Sequence, residues 1–282
     1  MNEATSAQVS AIARFRTMHA SGCFVLPNPW NVGTAVYLQH LGFEALATTS
    51  SGFAFSHGLP DTVSAITRDD MLAHIREVVG ATPLPVNADF QTGYADSPEG
   101  VAENVARCIA TGVAGLSIED ATGNAAAPLY DAKLAVERIR AARGSIDAAG
   151  IPVILTGRCE AWLVREPDPL HVALERLAAY AEAGADCLYA PGVSEPDEIA
   201  AIIKAVSPKP VNVLVSIPNP ALSVSRLADL GVRRISVGSA LARVAWGAFI
   251  RAARSIATTG SFEAFADAAS FSELDDLFRN RR

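Results

Sequence analysis

Pro85-Val86-Asn87-Ala88-Asp89-Phe90-Gln91-Thr92-Gly93-Tyr94 is the stretch that decides the fold. An apolar run ends in a carboxylate, and a polar loop containing a glycine follows. Ser97-Pro98-Glu99 then opens a helix, with a cap residue ahead of a first-turn proline. The plain reading is a short strand, buried on both faces, that delivers Asp89 to one edge of a parallel sheet.

The same unit repeats on both sides of this stretch. Short runs rich in Val, Ile or Leu predict strands at Cys23–Leu26, Ala45–Thr48, Leu84–Asp89, Gly115–Glu119, Pro152–Thr156, Asp186–Ala190, Val211–Val215 and Arg234–Val237. Helical patterns lie between them, and Gly42, Gly112, Gly184 and Gly231 each close one. Ser194-Glu195-Pro196-Asp197 has the spacing of a capping box. Eight β-then-α units in 282 residues predict a (β/α)8 TIM-type barrel, for which roughly 250 residues is typical. A doubly wound open sheet is the alternative, but no glycine-rich dinucleotide loop follows the first strand.

Two helical regions flank the barrel. Thr5 to His19 reads as an amphipathic helix with Val9, Ile12, Phe15 and Met18 on one side. Residues 239–282 read as a helical C-terminal region whose Phe262, Phe265, Phe271, Leu274 and Leu277 need a surface to pack on, expected on a neighbouring subunit. No Pro/Ser/Gly linker divides the chain, so 1–282 reads as a single domain.

Composition narrows the class of partner. Half of the residues are hydrophobic, enough for a sizeable core, and 23 basic against 30 acidic side chains give a net charge of −7. That balance disfavours nucleic acid and anionic membranes, but not a small anion held in a locally positive or metal-bearing site. Cys23, Cys108, Cys159 and Cys187 are scattered, which argues against a zinc site or disulfide framework. With no membrane-length apolar run and no signal-peptide pattern, the expectation is a cytoplasmic protein.

In a barrel the chemistry collects at the C-terminal ends of the strands. There the sequence places Ser51-Gly52 and Asp61 after strand two, Asp89 and Gln91 after strand three, and Glu119-Asp120 after strand four. Arg158-Cys159-Glu160 follows strand five. Each has a plainer reading. Asp89 and Asp120 suit helix or turn caps, Asp61 a turn, Arg158 and Glu160 a structural ion pair, and Gln91 a loop hydrogen bond. Taken together, oxygen-only groups at this density suit a hard cation such as Mg²⁺, with Mn²⁺ as the alternative. The arginine can fork onto a substrate carboxylate, and the small Ser51-Gly52 pair lets backbone N–H groups approach an oxyanion. That combination points to chemistry alpha to a carbonyl.

Read together, Gly58-Leu59-Pro60-Asp61, Asp89-Phe90-Gln91-Thr92-Gly93-Tyr94, Ile118-Glu119-Asp120, Arg158-Cys159-Glu160-Ala161 and Pro191-Gly192-Val193 resemble the isocitrate lyase/phosphoenolpyruvate mutase superfamily. The resemblance runs from Leu26 to about Trp246. It implies Mg²⁺, 2-oxo or 2-hydroxy carboxylate substrates, a pyruvate-type enolate, and a homotetramer built as a dimer of dimers. It further implies that Asp89 is the principal metal-site residue and that Asp61, Glu119 and Gln91 complete the metal site. Arg158 and the Ser51-Gly52 backbone would contact substrate, with Asn124 echoing a gating-loop contact. The general acid or base stays open among Glu119, Glu160, Tyr94 and a bound water.

Two departures shape the expectation. Gln91 stands where the family often has an aspartate. The lyase loop Lys-Lys-Cys-Gly-His is replaced by Ala121-Thr122-Gly123-Asn124-Ala125-Ala126-Ala127-Pro128, which argues against isocitrate or methylisocitrate cleavage. The expected function is therefore a Mg-dependent lyase, decarboxylase or hydrolase of a small 2-oxo/2-hydroxy carboxylate. Phosphoenolpyruvate or phosphonopyruvate P–C chemistry, and a carboxylate-binding barrel without catalysis, are the alternatives.

Overall fold

Every one of the eight apolar runs becomes a strand. In the computed structural model, which describes residues 4–62 and 64–279, they are β1 (Phe24–Leu26), β2 (Leu46–Ala47), β3 (Val86–Asp89) and β4 (Gly115–Glu119). β5 (Ile154–Arg158), β6 (Cys187–Tyr189), β7 (Val211–Leu214) and β8 (Arg234–Ser236) complete the set. All pair in parallel, in the order β1-β8-β7-β6-β5-β4-β3-β2. The seam between β1 and β2 is bridged by the Ala47 amide, which donates to the Pro27 carbonyl at 3.0 Å. The result is a nearly closed (β/α)8 TIM-type barrel.

The strands bury both faces, which is why they read as apolar runs. Residues pointing outward, such as Ala88, Leu116, Leu155 and Leu188, form the core with the surrounding helices. The alternate positions point into the barrel, so Asn87 and Asp89 share a face, as do Ser117 and Glu119, and Thr156 and Arg158. β5 starts and ends two residues later than expected, and this makes Arg158 its last residue.

The helices are α1 (Ser6–Ala20), α2 (Val32–His40), α3 (Ser50–Ser56), α4 (Arg68–Ala81), α5 (Pro98–Ile109) and α6 (Ala132–Ala148). They continue with α7 (Pro169–Glu182), α8 (Pro196–Val206), α9 (Val224–Asp229), α10 (Ala240–Thr259) and α11 (Phe271–Arg279). Ser97 caps α5 by accepting from the Gly100 amide, with Pro98 in the first turn as expected. At Gly184 the backbone takes φ +107 between α7 and β6, and a Cβ there would strike the Arg143 side chain at 2.6 Å.

Two local expectations change. The buried stripe of α1 is Gln8, Ile12, Phe15 and His19, and Val9 is 50% exposed. The polar pair is buried because it is bonded: Gln8 donates to the Ile109 and Val113 carbonyls, and His19 bonds the Phe15 carbonyl. α8 starts after Glu195, which makes no side-chain cap bond, so the capping box does not form and Pro196 sets the first turn. The C-terminal region folds partly onto its own barrel. The Phe278 ring of α11 sits where a methyl on Gly33 of α2 would be 3.5 Å away.

Candidate active site

Arg158 is the centre of the strand-end layer. Its Nη1 lies 3.1 Å from Asp89 Oδ1 and 3.0 Å from Glu119 Oε2, and its Nε donates to Glu160. The strands enforce this meeting, since Glu119 and Arg158 are register partners on β4 and β5, and Asp89 ends the next strand. Tyr189, the register partner of Arg158 on the other side, places its ring 5.3 Å from the guanidinium carbon. One guanidinium thus faces three carboxylates.

The charge balance follows from that geometry. Burial pushes Glu119 up to about 8; Arg158 opposes the rise, while Glu160, Asp89 and Asp61 add to it. Glu160 is raised for the same first reason, burial, against the pull of Arg158. Burial penalises the Arg158 charge, but Glu119 and Glu160 outweigh it and hold the arginine firmly protonated.

Asp89 is fixed from the β2 side as well. The Ser50 amide and hydroxyl both donate to its Oδ2 at 2.9 Å, and its own amide donates to Thr48 Oγ1 at 2.9 Å. Ser50 is the first residue of α3, where Thr49 caps the helix by accepting from the Gly52 amide. A Cβ on Gly52 would meet Thr49 at 2.7 Å and Trp30 at 3.0 Å, so only glycine lets α3 begin this close to the barrel. Ser51 and Asp61 both line the cavity, and Asp61 stands on its exposed rim.

The loop after β3 is held from behind. Gln91 adopts φ +46, is 4% exposed, and its carbonyl accepts from the Glu119 amide at 3.0 Å. Its side-chain Oε1 is buried without a partner. The buried Arg138 of α6 donates to the Thr92, Ala95 and Glu119 carbonyls and so ties this loop to the end of β4.

These residues wall a cavity of about 380 Å³ that opens at the C-terminal strand ends and descends to Asn87, Ser117, Asn212 and Arg234. Asp61, Asp89, Gln91, Glu119, Arg158 and Ser51 all line it. Gly52 sits just behind Ser51, in the first turn of α3. Tyr94 and Asn124 do not reach the wall. Tyr94 is held at φ +56 with a buried, unpartnered hydroxyl, and burial raises its phenol strongly. Asn124 is exposed in the loop between β4 and α6, where its Oδ1 accepts from the Ala126 amide. Asp120 turns away from the cavity to Arg176, Tyr180 and the Glu160 amide.

Among the described residues no cluster of three His, Cys, Asp or Glu side chains is preformed for direct ligation. The charges nevertheless fit a cation. Three carboxylates on one arginine leave an excess of negative charge, and Gln91 Oε1 is a buried acceptor with nothing to accept from. Asp61, Asp89, Gln91 and Glu119 are the oxygens that would hold such an ion, directly or through water.

Sequence reasoning overlooked Ser50, Tyr189 and the polar floor of the cavity. The floor had a legible signal: Asn87, Ser117 and Thr156 each lie two residues before a strand-end charge, on the same face of an otherwise apolar strand.

With this geometry in view, the relatives are informative. The family described as phosphoenolpyruvate phosphomutase matches residues 15–257. The chain belongs to the isocitrate lyase/phosphoenolpyruvate mutase superfamily. An uncharacterised protein of Mycobacterium tuberculosis is 36% identical over 228 residues, covering 80% of this chain and 81% of that one. A solved structure from Burkholderia cenocepacia, provisionally described as a lyase/mutase, is 46% identical with a TM-score of 0.93 and covers 97% of each chain. The 2-methylisocitrate lyase of Escherichia coli is 35% identical over 175 residues, covering 58% of this chain and 56% of that enzyme. In this member of the superfamily the loop between β4 and α6 is a short hairpin-like turn. It is pinned by an antiparallel bridge between Ala121 and Leu129 and by Thr122, whose hydroxyl donates to the Ala127 carbonyl.

Proposed function

We propose that the protein is a metal-assisted lyase, decarboxylase or hydrolase of a small 2-oxo or 2-hydroxy carboxylate that reacts through a pyruvate-type enolate. The observation that carries this reading is the Arg158 guanidinium, held among Asp89, Glu119 and Glu160 at the wall of a closed-ended cavity. An anionic substrate entering beside it exchanges part of that carboxylate pairing for its own. The planar fork of arginine fits a substrate carboxylate in two-point contact. Of the expected Ser51-Gly52 pair, the Gly52 amide is taken by Thr49, whereas Ser51 lines the cavity in the first turn of α3, where its backbone amide can meet the developing enolate oxygen. Glu119 stands next to Arg158, and its burial, which raises its carboxyl, suits it to exchange a proton with the reacting carbon.

Asp89, Asp61, Glu119 and Gln91 would hold Mg²⁺ or Mn²⁺. When bound, the cation supplies concentrated positive charge that favours an enolate over its keto form.

The loop at 121–128 carries no Lys, Cys or His, and so lacks the cysteine that the resemblance gives the lyase branch as its acid, which speaks against methylisocitrate cleavage. The family match to phosphoenolpyruvate phosphomutase supports a second reading, P–C bond chemistry on a phosphonate. A turnover screen of 2-oxo and 2-hydroxy acids with and without Mg²⁺, beside phosphorus NMR with phosphonopyruvate, separates the two. C–C cleavage or decarboxylation without any phosphorus signal supports the first. Unchanged turnover by Asp89→Ala would remove the proposed site.

The oligomer is proposed on α10, a helix with only Ala242 buried among its described residues. Val244, Trp246, Phe249 and Ile250 lie exposed on it, and we infer that a second subunit covers them.

A further inference from the structure

Beneath the carboxylate layer lies a second arginine that the sequence pattern does not advertise. Arg234, at the start of β8, is 2% exposed and forms part of the cavity floor. Its guanidinium reaches across the barrel. Nε donates to Asn212 Oδ1 at 2.9 Å, Nη2 to Thr156 Oγ1 at 3.0 Å, and Nη1 approaches Asn87 Oδ1 at 3.5 Å and His19 Nε2 at 3.3 Å. All four partners are neutral. His19 is kept so by burial and by Arg234 itself, which push it down to about 3. Among the described residues no carboxylate lies within ion-pair distance of Arg234.

A buried cation without a counter-ion is costly and needs an explanation outside its own contacts. Asn87 and Thr156 supply one. Each lies two residues before a member of the charged layer, Asp89 and Arg158, on the same inward face, so the layers are roughly 7 Å apart. The layer above carries three carboxylates on one arginine. We propose that Arg234 is a positioning residue for the site: a fixed positive floor that offsets the excess carboxylate charge and draws an anionic substrate down into the cavity. Its neutral hydrogen-bond partners hold the guanidinium still without quenching the charge. This rests on the functional reading above, which places cation and anion in this cavity.

An electrostatic floor has a signature that a structural arginine lacks, since it must move cation and anion binding in opposite directions. A unit charge about 7 Å from a divalent ligand, at an effective dielectric between those of water and protein, changes affinity by roughly 10- to 100-fold. The probes are Mn²⁺, followed by electron paramagnetic resonance, and oxalate, titrated calorimetrically in the presence of a chelator.

Arg234→Gln should bind Mn²⁺ more tightly and oxalate more weakly, each by about that factor. Arg234→Lys, which keeps the charge, should stay near wild type for both. His19→Glu approaches Arg234 from outside the cavity and quenches its charge without adding a ligand. It should reproduce Arg234→Gln, and it carries the test if Arg234→Gln does not fold. Parallel weakening of both ligands in Arg234→Gln and His19→Glu, or no change in either, overturns the assignment. A wild-type protein that binds neither Mn²⁺ nor oxalate overturns the functional reading and this inference with it.

Discussion

The Arg158 guanidinium meets the Asp89 carboxylate at 3.1 Å, and this contact ties the end of β5 to the end of β3 across the intervening strand. The two partners are unequal. Asp89 is one of three acids on the arginine, whereas among the described residues Arg158 is the only base that the three share.

Removing one or the other should therefore have different consequences for stability. Arg158→Gln leaves three buried acids with no counter-charge and should cost about 3–5 kcal/mol, the range for breaking a buried pair. Asp89→Asn relieves part of the negative excess and keeps an acceptor for the Ser50 amide, so its stability should stay within about 1 kcal/mol of wild type. Both should lose on the order of 10²–10³ or more in turnover. Urea denaturation of the two variants, beside activity with 2-oxo acids, checks the contrast. Equal destabilisation would show that Asp89 is a structural counter-ion.

The pH dependence of stability should be a peak near pH 6.5. His19 and His74 are lowered by burial, to about 3 and about 4, against 6.5 in the unfolded chain. Below pH 6.5 the unfolded chain binds protons that the native state refuses, so stability falls with acid by up to about 1.4 kcal/mol per pH unit for each histidine. Glu119 acts in the opposite sense. Raised by burial to about 8, it keeps a proton that the unfolded chain loses near 4.5, so its contribution disappears as pH rises through 8. His74, stacked on Phe53 at 4.2 Å with its Nε2 unpartnered, is the one to replace. In urea midpoints measured from pH 4.5 to 8.5, His74→Met should flatten the acid limb and Glu119→Gln the alkaline one. Parallel, unshifted curves would contradict the burial of His74 and Glu119 in their neutral forms.

Gln91 offers a gain rather than a loss. Its φ of +46 lies in the left-handed region, which aspartate tolerates, and its Oε1 is the orphaned acceptor beside Asp89. Gln91→Asp would supply a full carboxylate to the oxygen set. Mn²⁺ affinity should rise about tenfold, with a loss of stability in the metal-free protein from the added negative charge. Unaltered affinity would place the cation, if it binds, away from this loop.

Much of this arrangement was legible in the sequence because strands buried on both faces leave an unbroken apolar signal that ends abruptly in charge. Asp89, Glu119 and Arg158 are visible for that reason. Arg138 and Arg234 are not, because each acts a full side chain's length from its own backbone on elements far away in sequence, and local pattern carries no trace of that reach. The α1 stripe misled for a related reason. Gln8 and His19 are buried by bonds to residues the sequence places far away, Gln8 to Ile109 and Val113 and His19 to Arg234, which no local periodicity can anticipate. Asn124 was singled out by resemblance alone, and its loop bonds to itself.

The exposed face of α10 is the remaining surface whose occupant can be tested directly. Val244 is 70% exposed and Phe249 is 61% exposed, on a helix whose hydrophobic residues face outward more than inward. If a second subunit covers this face, the protein in solution should be a dimer or tetramer by light scattering. Val244→Glu should shift it toward the monomer, because a carboxylate buried at such an interface has no partner. The monomer should keep its barrel, since Val244 packs on nothing in the described chain that the core depends on. A wild-type protein that elutes as a monomer at tens of micromolar would leave α10 a solvent-facing helix and remove the case for a shared interface.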